Sequence, residues 1–531
     1  MIDVRGRQHG DRALAVAFLT EGTYPYAGGG VSTWSELLLS GLPSVDFHII
    51  AATGQFCLET RYVLPANVRS VTQVPLWGAG PIDALRRETS LLRLARARAR
   101  TTEGAIEREF LPGLRTWLRA LFRGGEELDL DACGDALIQM ARFLRRHDYA
   151  ATFGSRAGGE AFKDAVARWR GPGPAAARAY PEPSLADVAA TLQWLAALLR
   201  PLAIAPIQAD VYHATVAASV GLLGIVARLE QGIPLLLTEH GVYYRERAIS
   251  TSTDAALSPF QKDFLISLAE TTARLCYRFA DVIVPVCSFN AKWEMLLGAD
   301  PDRIKVIYNA VDTERFNPAV QRGEAGARPT VVSVGGVTPF KDLLTLIRAA
   351  ALVRVAVPQV CFMVYGSLNS DPAYVASCRE LIRVLELESV VRLEGPHPRP
   401  EFAYVQGDLT VMSSISEAFP FTALESLACG RPVVATDVGG VAEALGDAGI
   451  IVPPGSPAAL ADAIVALLGD PVRRQALGAA ARARALRHFR LEQLLTSYHQ
   501  VYTDLARKSV GVAPCAPSPW PALAREGARA S

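Results

Sequence analysis

The chain has 531 residues, half of them hydrophobic, and its 54 lysines and arginines balance 53 aspartates and glutamates for a net charge of +1. That length accommodates two to four domains at roughly 150 residues each, with apolar content enough for a core in every one. A near-neutral balance excludes a general nucleic-acid binder, which needs a strong positive field.

The first element expected is a buried strand at Ala13 to Leu19. Three arginines precede it, but the run is only seven residues and leads into Glu21 and Tyr24, so it does not read as a signal peptide. The apolar run Thr215 to Ala227 is 13 residues, short of the ~20 that cross a bilayer, so no transmembrane segment is expected. Further strands are expected at Phe47 to Ala51, Val211 to Tyr212, Leu235 to Thr238 and Val282 to Val286. A second set follows at Thr330 to Val334, Cys361 to Tyr365, Val390 to Leu393, Leu409 to Met412, Val433 to Thr436 and Gly449 to Val452. Helical patterns separate them, the signature of parallel sheets covered on both faces, so the fold class is α/β with two sheets of about six strands.

From 81 to 201 the strand pattern gives way to Ala-, Arg- and Leu-rich helical sequence, read as an insertion into the first domain. Between Arg86 and Arg123 it holds ten arginines against four acidic residues, followed by Glu126, Glu127, Asp129 and Asp131. Such a distribution suits solvated helix faces, or a docking face for a partner or membrane. The turn-rich stretch Phe316 to Pro329 marks the domain boundary. The division expected is 1–318, 319–490, a helix at 491–509 packing back on the first domain, and a proline-bearing disordered tail at 510–531. Eight cysteines are scattered without a CxxC pair or a histidine at metal-ligand spacing, so no zinc site or disulfide framework is indicated and a reducing, cytoplasmic location follows.

Three segments carry candidate chemistry. Gly28, Gly29 and Gly30 lie between the first strand and a helix, where backbone NH groups can approach an anion; the same glycines would also serve a plain tight turn. In Ser413 to Gly440, Glu417 precedes a helix that Pro420 begins and Gly430 ends, and Glu425 falls in its second turn. A carboxylate in so apolar a setting calls for hydroxyl partners such as a ribose diol, although both glutamates could simply complement the helix dipole. Lys341, at a strand-to-helix turn, can neutralise a diphosphate or stand as a solvated lysine. His213 and His240 are placed at strand ends, where ligands of open parallel sheets collect.

Together the Glu417 to Glu425 spacing, the turn Thr436 to Gly440, Lys341 and the glycine turn resemble retaining glycosyltransferases of family 4. Within that family, "EGTYPYAGGGVSTW", "DVYHA", "LLTEHGVYYRER" and "LGADPDRIKVIYNAVD" resemble the bacterial branch that extends the Pel exopolysaccharide of biofilms. The resemblance covers roughly residues 12 to 80 and 205 to 505. It implies the GT-B fold, two Rossmann-like domains facing across a cleft. It also implies a hexose or N-acetylhexosamine moved from a UDP-sugar to a growing polysaccharide, without metal or other cofactor and with retention of configuration. Glu417, Lys341 and His240 would then be catalytic. Gly29, Gly30, Phe419, Pro420, Phe421, Glu425, Gly439 and Gly440 would bind the donor, and Tyr24, His213, Tyr243 and Arg245 would lie on the acceptor side. The partners implied are the UDP-sugar, a polysaccharide acceptor and an inner-membrane synthesis and export complex, with the chain at the inner membrane face. One departure stands out: Gly336 occupies the position where the family usually has Arg, so a guanidinium on the diphosphate is missing. That leaves room for a noncatalytic nucleotide-sugar-binding subunit, or another GT-B enzyme such as an epimerase or phosphorylase.

Overall fold

The computed structural model describes residues 13–77, 91–122, 128–169, 182–319 and 328–510. Strands β1 (Leu14–Glu21), β2 (Val45–Thr53), β3 (Val68–Pro75), β4 (Val211–Ala214), β5 (Leu235–Glu239) and β6 (Val282–Pro285) form one sheet. Strands β7 (Thr330–Val334), β8 (Cys361–Tyr365), β9 (Val391–Gly395), β10 (Leu409–Met412), β11 (Val433–Thr436) and β12 (Gly449–Val452) form another. The orders are β3-β2-β1-β4-β5-β6 and β12-β11-β10-β7-β8-β9, with every pairing parallel. Both are doubly wound, with the strand order reversing between β1 and β4 and between β7 and β10. Ligands of such sheets bind beyond the carboxyl ends of those strands.

Nearly continuous burial along β1 follows from helices on both faces, which take alternate side chains. Val16 and Phe18 pack with Trp34 and the C-terminal helix Leu491–Val510, while Ala17 and Leu19 pack with the helical region that precedes β4. Strand β3 has no counterpart among the expected strands. It is an edge strand whose outer residues stay half exposed, so its sequence, VRSVTQVP, lacks an apolar run.

The region expected as a helical insertion contains the helices Leu91–Arg100, Leu111–Leu121, Leu130–Leu144, Arg156–Trp169 and Leu185–Leu199. Arg145 ties it to the helix Ser219–Gln231 through Nη2, which donates to both carboxylate oxygens of Glu230 at 2.7 and 2.8 Å in a partly buried setting. The arginine-rich helix Leu91–Arg100 buries none of its residues. Residues 78–90, 123–127 and 320–327, the first part of the acidic cluster (Glu126 and Glu127) and the tail beyond Val510 lie outside the described residues. Among the described residues, no helix is long and apolar enough to cross a membrane.

The C-terminal helix crosses back to the first sheet. Tyr502 and Tyr498 are fully buried there, their hydroxyls bonded to His213 Nδ1 at 2.7 Å and Thr238 Oγ1 at 3.0 Å. The two halves also meet beyond β6. Cys287 packs in the core around Phe419 and Leu424, and Ser288 and Tyr308 both bind the Glu443 carboxylate, at 2.7 and 2.8 Å through their hydroxyls.

Candidate active site

The site forms where the two switch points face each other. From the second sheet, the chain leaves β7 through Gly335 and Gly336 to Lys341, and leaves β10 through Ser413 and Ser414 to Glu417. Lys341 Nζ bonds Glu417 Oε1 at 2.5 Å, and Ser414 Oγ donates to the same oxygen at 2.7 Å. The Glu417 side chain is only 10% exposed, so this charge pair is held in a cleft rather than on a solvated face. Thr436 at the end of β11 donates to the Ser414 carbonyl at 2.6 Å and fixes the loop from beneath.

The turn after Thr436 explains its glycines. Gly439 has φ of 57°, and a Cβ there would lie 1.8 Å from the Glu417 carbonyl oxygen. Gly440 donates to the Ala418 carbonyl at 2.7 Å, and its own Cβ would meet that oxygen at 2.6 Å. Both therefore shape the Glu417 loop by close backbone approach, and a side chain at either would displace it.

The helix Phe421–Ala428 starts at Pro420 with no side-chain cap, leaving its positive end to the cleft. Glu425, in its second turn, accepts from the Tyr404 hydroxyl at 2.5 Å. Burial pushes the Glu425 pKa up to about 7, with Tyr404 and Arg315 opposing the rise. Phe419 is buried, stacked on Tyr308 at 5.0 Å between ring centroids, and its carbonyl accepts from Asn309 at 2.8 Å.

The first sheet supplies the facing wall. Gly29 precedes the helix Gly30–Gly41 at φ 144°, and that helix start likewise has no side-chain cap. The position where Gly30 would carry a Cβ is 3.7 Å from the Phe421 ring, so the two uncapped helix starts converge across the cleft. His240 follows β5, with Trp34 edge-on at 4.4 Å between centroids. Burial drives the His240 pKa down to about 3; Asn309 lies close enough to oppose that fall, yet His240 Nε2 makes no hydrogen bond within bonding geometry. The imidazole is therefore neutral at physiological pH, with a buried nitrogen left over for a ligand.

Two residues expected on the acceptor side lie in the core instead. His213 lies inside β4 rather than at its end, is fully buried, and has both ring nitrogens bonded, to Tyr502 and to Thr238. Tyr24 is also fully buried, packed on Tyr62 with ring centroids 5.1 Å apart. Both are structural because apolar neighbours enclose them. Arg245, on the helix Tyr243–Thr253, reaches across the cleft and donates to Ser416 Oγ at 3.0 Å, one residue before Glu417. Tyr243, at the start of the same helix, keeps its place beside the first sheet, half-buried, with its NH on Glu239 Oε1 at 3.1 Å. Sequence reasoning missed Tyr404, Asn309, Ser414 and Ser416; none belongs to a glycine turn or a charged pair, and Tyr404 is 21 residues from the glutamate it holds.

The paired switch-point sheets and the cation–carboxylate pair between them define a GT-B glycosyltransferase architecture. Residues 14–302 match the family model "Domain of unknown function (DUF3492)", and residues 328–470 match "Glycosyl transferases group 1". A D-inositol 3-phosphate glycosyltransferase of Thermomonospora curvata is 32% identical over 323 residues, which cover 55% of this chain and 72% of that protein. Sucrose-phosphate synthase from Thermosynechococcus elongatus shares the fold at a TM-score of 0.59 and 18% identity, over 93% of this chain and all of that one. Anabaena HepE, solved in complex with UDP-glucose, shares it at 0.56 and 15%, over 92% of this chain and all of its own. The chain belongs to the group 1 glycosyltransferases, with a DUF3492 domain as its first half.

Proposed function

We propose that this protein is a retaining family 4 glycosyltransferase that moves a hexose or N-acetylhexosamine from a UDP-sugar to a growing polysaccharide, in the manner of the Pel exopolysaccharide enzyme. The observation that carries this reading is the Lys341–Glu417 pair, set between two uncapped helix starts and beside an arginine from the opposite half. Lys341 neutralises the diphosphate, Glu425 receives the ribose hydroxyls, and Glu417 receives sugar hydroxyls. Backbone NH groups at Gly29, Gly30, Phe419 and Phe421 hold phosphate and sugar oxygens, with Pro420 shaping the turn between the last two. The turn at Gly439 and Gly440 keeps Glu417 in place. His240 faces the donor sugar as a neutral partner.

Arg245 takes over the role of the missing guanidinium at Gly336, since it already spans the cleft to Ser416. With two cations on the leaving group, departure is stabilised electrostatically and no metal is needed. The bond between the anomeric carbon and the phosphate oxygen breaks while the acceptor oxygen bonds the same face, and the departing phosphate takes the acceptor proton. Glu417 is not the nucleophile, because Lys341 and Ser414 hold its carboxylate. The chain works in the cytoplasm, at the inner membrane face, alongside the complex that exports its product. The test is UDP release over a panel of UDP-sugars with chelator present, in wild type and Glu417→Ala, beside a donor-binding titration. Release by wild type alone supports the reading. Tight donor binding without release by wild type points to a noncatalytic subunit, and loss of activity in chelator contradicts the metal-free mechanism.

A further inference from the structure

The inserted region holds two kinds of amphipathic helix. Leu111–Leu121 is the ordinary kind: it buries Leu111, Leu114, Trp117, Leu118 and Leu121 and turns Arg115 and Arg119 to solvent. The helix Leu91–Arg100, LLRLARARAR, does the reverse. At about 100° per residue, Leu91, Ala95, Ala99 and Leu92 fall within one arc of about 100°. All four are exposed, Leu91 by 83% and Leu92 by 68%, while Leu94 and Ala97 on the opposite side are half-buried. The outward face is therefore the apolar one, which is unfavourable in water unless something covers it.

The roll of this helix is fixed. Arg98 Nη1 bonds Asp148 Oδ1 at 3.2 Å, and Thr101 Oγ1, just past the helix end, accepts from the Asp148 NH at 2.8 Å. Charge borders the apolar arc on both sides, Arg96, Arg100 and Arg93 along one and Arg98 along the other, with no acidic residue in the helix. Among the described residues, Arg93, Arg96 and Arg100 enter no ion pair. The adjacent carboxylates are engaged elsewhere. Asp148 also caps the helix Tyr149–Phe153 through the Ala151 NH at 2.6 Å, and Glu103 accepts from the NH groups of Arg156 and Ala157, both at 3.0 Å.

The covering surface must be anionic and open to a shallow apolar stripe. A ten-residue helix is about 15 Å long. Its outward arc of leucine and alanine has no aromatic anchor and falls well short of the ~800 Å² per partner that a stable protein interface buries. A bilayer containing anionic phospholipid requires neither, because leucines enter between the headgroups and guanidiniums pair with the phosphates. We infer that the helix Leu91–Arg100 lies flat on an anionic lipid bilayer, with Leu91 and Leu92 at the acyl boundary and Arg93, Arg96 and Arg100 on lipid phosphates. This goes beyond the transferase reading and does not rest on it, since lipid binding involves neither Lys341 nor Glu417.

The experiment is flotation of the full-length protein with phosphatidylcholine vesicles, with and without phosphatidylglycerol. Wild type is expected to float with the mixed vesicles, to stay behind with pure phosphatidylcholine, and to be released by high salt. Each arginine near an anionic surface contributes about fivefold to partitioning, so Arg93→Glu/Arg96→Glu/Arg100→Glu is expected to lower the partition coefficient at least about 100-fold. Leu91→Ser/Leu92→Ser, which leaves the charge unchanged, is expected to lower it about tenfold. Both variants change exposed positions and are expected to keep the wild-type Tm and UDP affinity. Wild type that does not float with the mixed vesicles, undiminished binding by the arginine variant, or flotation unaffected by the leucine substitutions would each overturn the inference. Recovery on native membranes without binding to lipid vesicles would also overturn it, assigning the helix to a protein partner. With UDP release measured on the same preparations, failure to float despite intact transfer counts against this surface alone, and flotation without turnover counts against the transferase reading alone.

Discussion

The two walls of the cleft are built on different plans. In the second half, Ser414, Glu417, the helix start at Phe421, Glu425 and the Gly439–Gly440 turn come from one short stretch of chain, which Lys341 and Tyr404 join from elsewhere. In the first half, Gly29 lies some 210 residues before the His240–Arg245 segment that faces it. A compact loop–helix unit preorganises one charged ligand with few degrees of freedom. A wall assembled from distant segments can change its ligand by altering one of them.

The largest effect should come from the compact side. Lys341→Ala removes a cation from the leaving group and leaves Glu417 unpaired in a cleft, so kcat should fall about 100- to 1,000-fold in a UDP-release assay, with UDP affinity falling much less. Retention of most of the activity would show that the second half does not carry the diphosphate.

Arg245 sharpens the comparison, because it is the point where the dispersed wall serves the compact one. Arg245→Ala should lower kcat about 10- to 100-fold. A Cβ at Gly336 would have 3.8 Å to Ser370 Oγ and 3.9 Å to Thr338 Cγ2, so Gly336→Arg can be accommodated and should restore part of that loss in the double variant. Failure of the double variant to recover would mean that Arg245 acts through some other contact than the diphosphate.

Glu425 gives a smaller, pH-dependent effect. With its pKa raised to about 7 by burial, the carboxylate form that accepts ribose hydroxyls predominates only above that pH. Donor affinity should therefore weaken as the pH falls below about 7, and Glu425→Gln should raise donor KM about tenfold and flatten the profile. Titration of KM against pH in both proteins checks this.

The smallest effect concerns the floor of the first half. Glu239 and Glu294 are both fully buried, Glu239 accepts from the Tyr277 hydroxyl at 2.5 Å, and neither oxygen of Glu294 has a hydrogen-bond partner. Burial raises both pKa values, and the charge of Glu239 raises that of Glu294 further. A raised carboxyl pKa means that the native state holds a proton the unfolded chain releases. Its stabilising contribution is complete below the ordinary carboxylate range and is lost as the pH rises through the folded-state values. Glu294→Gln should thus lift Tm by about 2–4 °C at alkaline pH and little at acidic pH, read by thermal melts across pH. An equal shift at every pH would contradict the shared burial argument.

The same contrast governs what the sequence discloses. The second sheet is legible because its strands are short apolar runs between turn residues, and the strands expected from Thr330 to Val452 appear with end shifts of at most two residues. Glu417 and Glu425 announce themselves as carboxylates in an apolar segment bounded by proline and glycine. In the first half, β3 is hidden by its half-exposed, polar alternation. His213 misleads because β4 runs two residues past its apolar start, carrying the ring into the core. Arg245 is marked by its segment but not by its reach to Ser416. That reach depends on which helix face meets the cleft, a property of packing between distant segments.

The most direct test of the central claim is the anomeric configuration of the product, followed by NMR while wild-type protein consumes its preferred α-linked UDP-sugar with an oligosaccharide acceptor. The account predicts an α-linked product and free UDP in equal amounts. A β-linked product, or consumption of donor with no transfer to any saccharide, would contradict it.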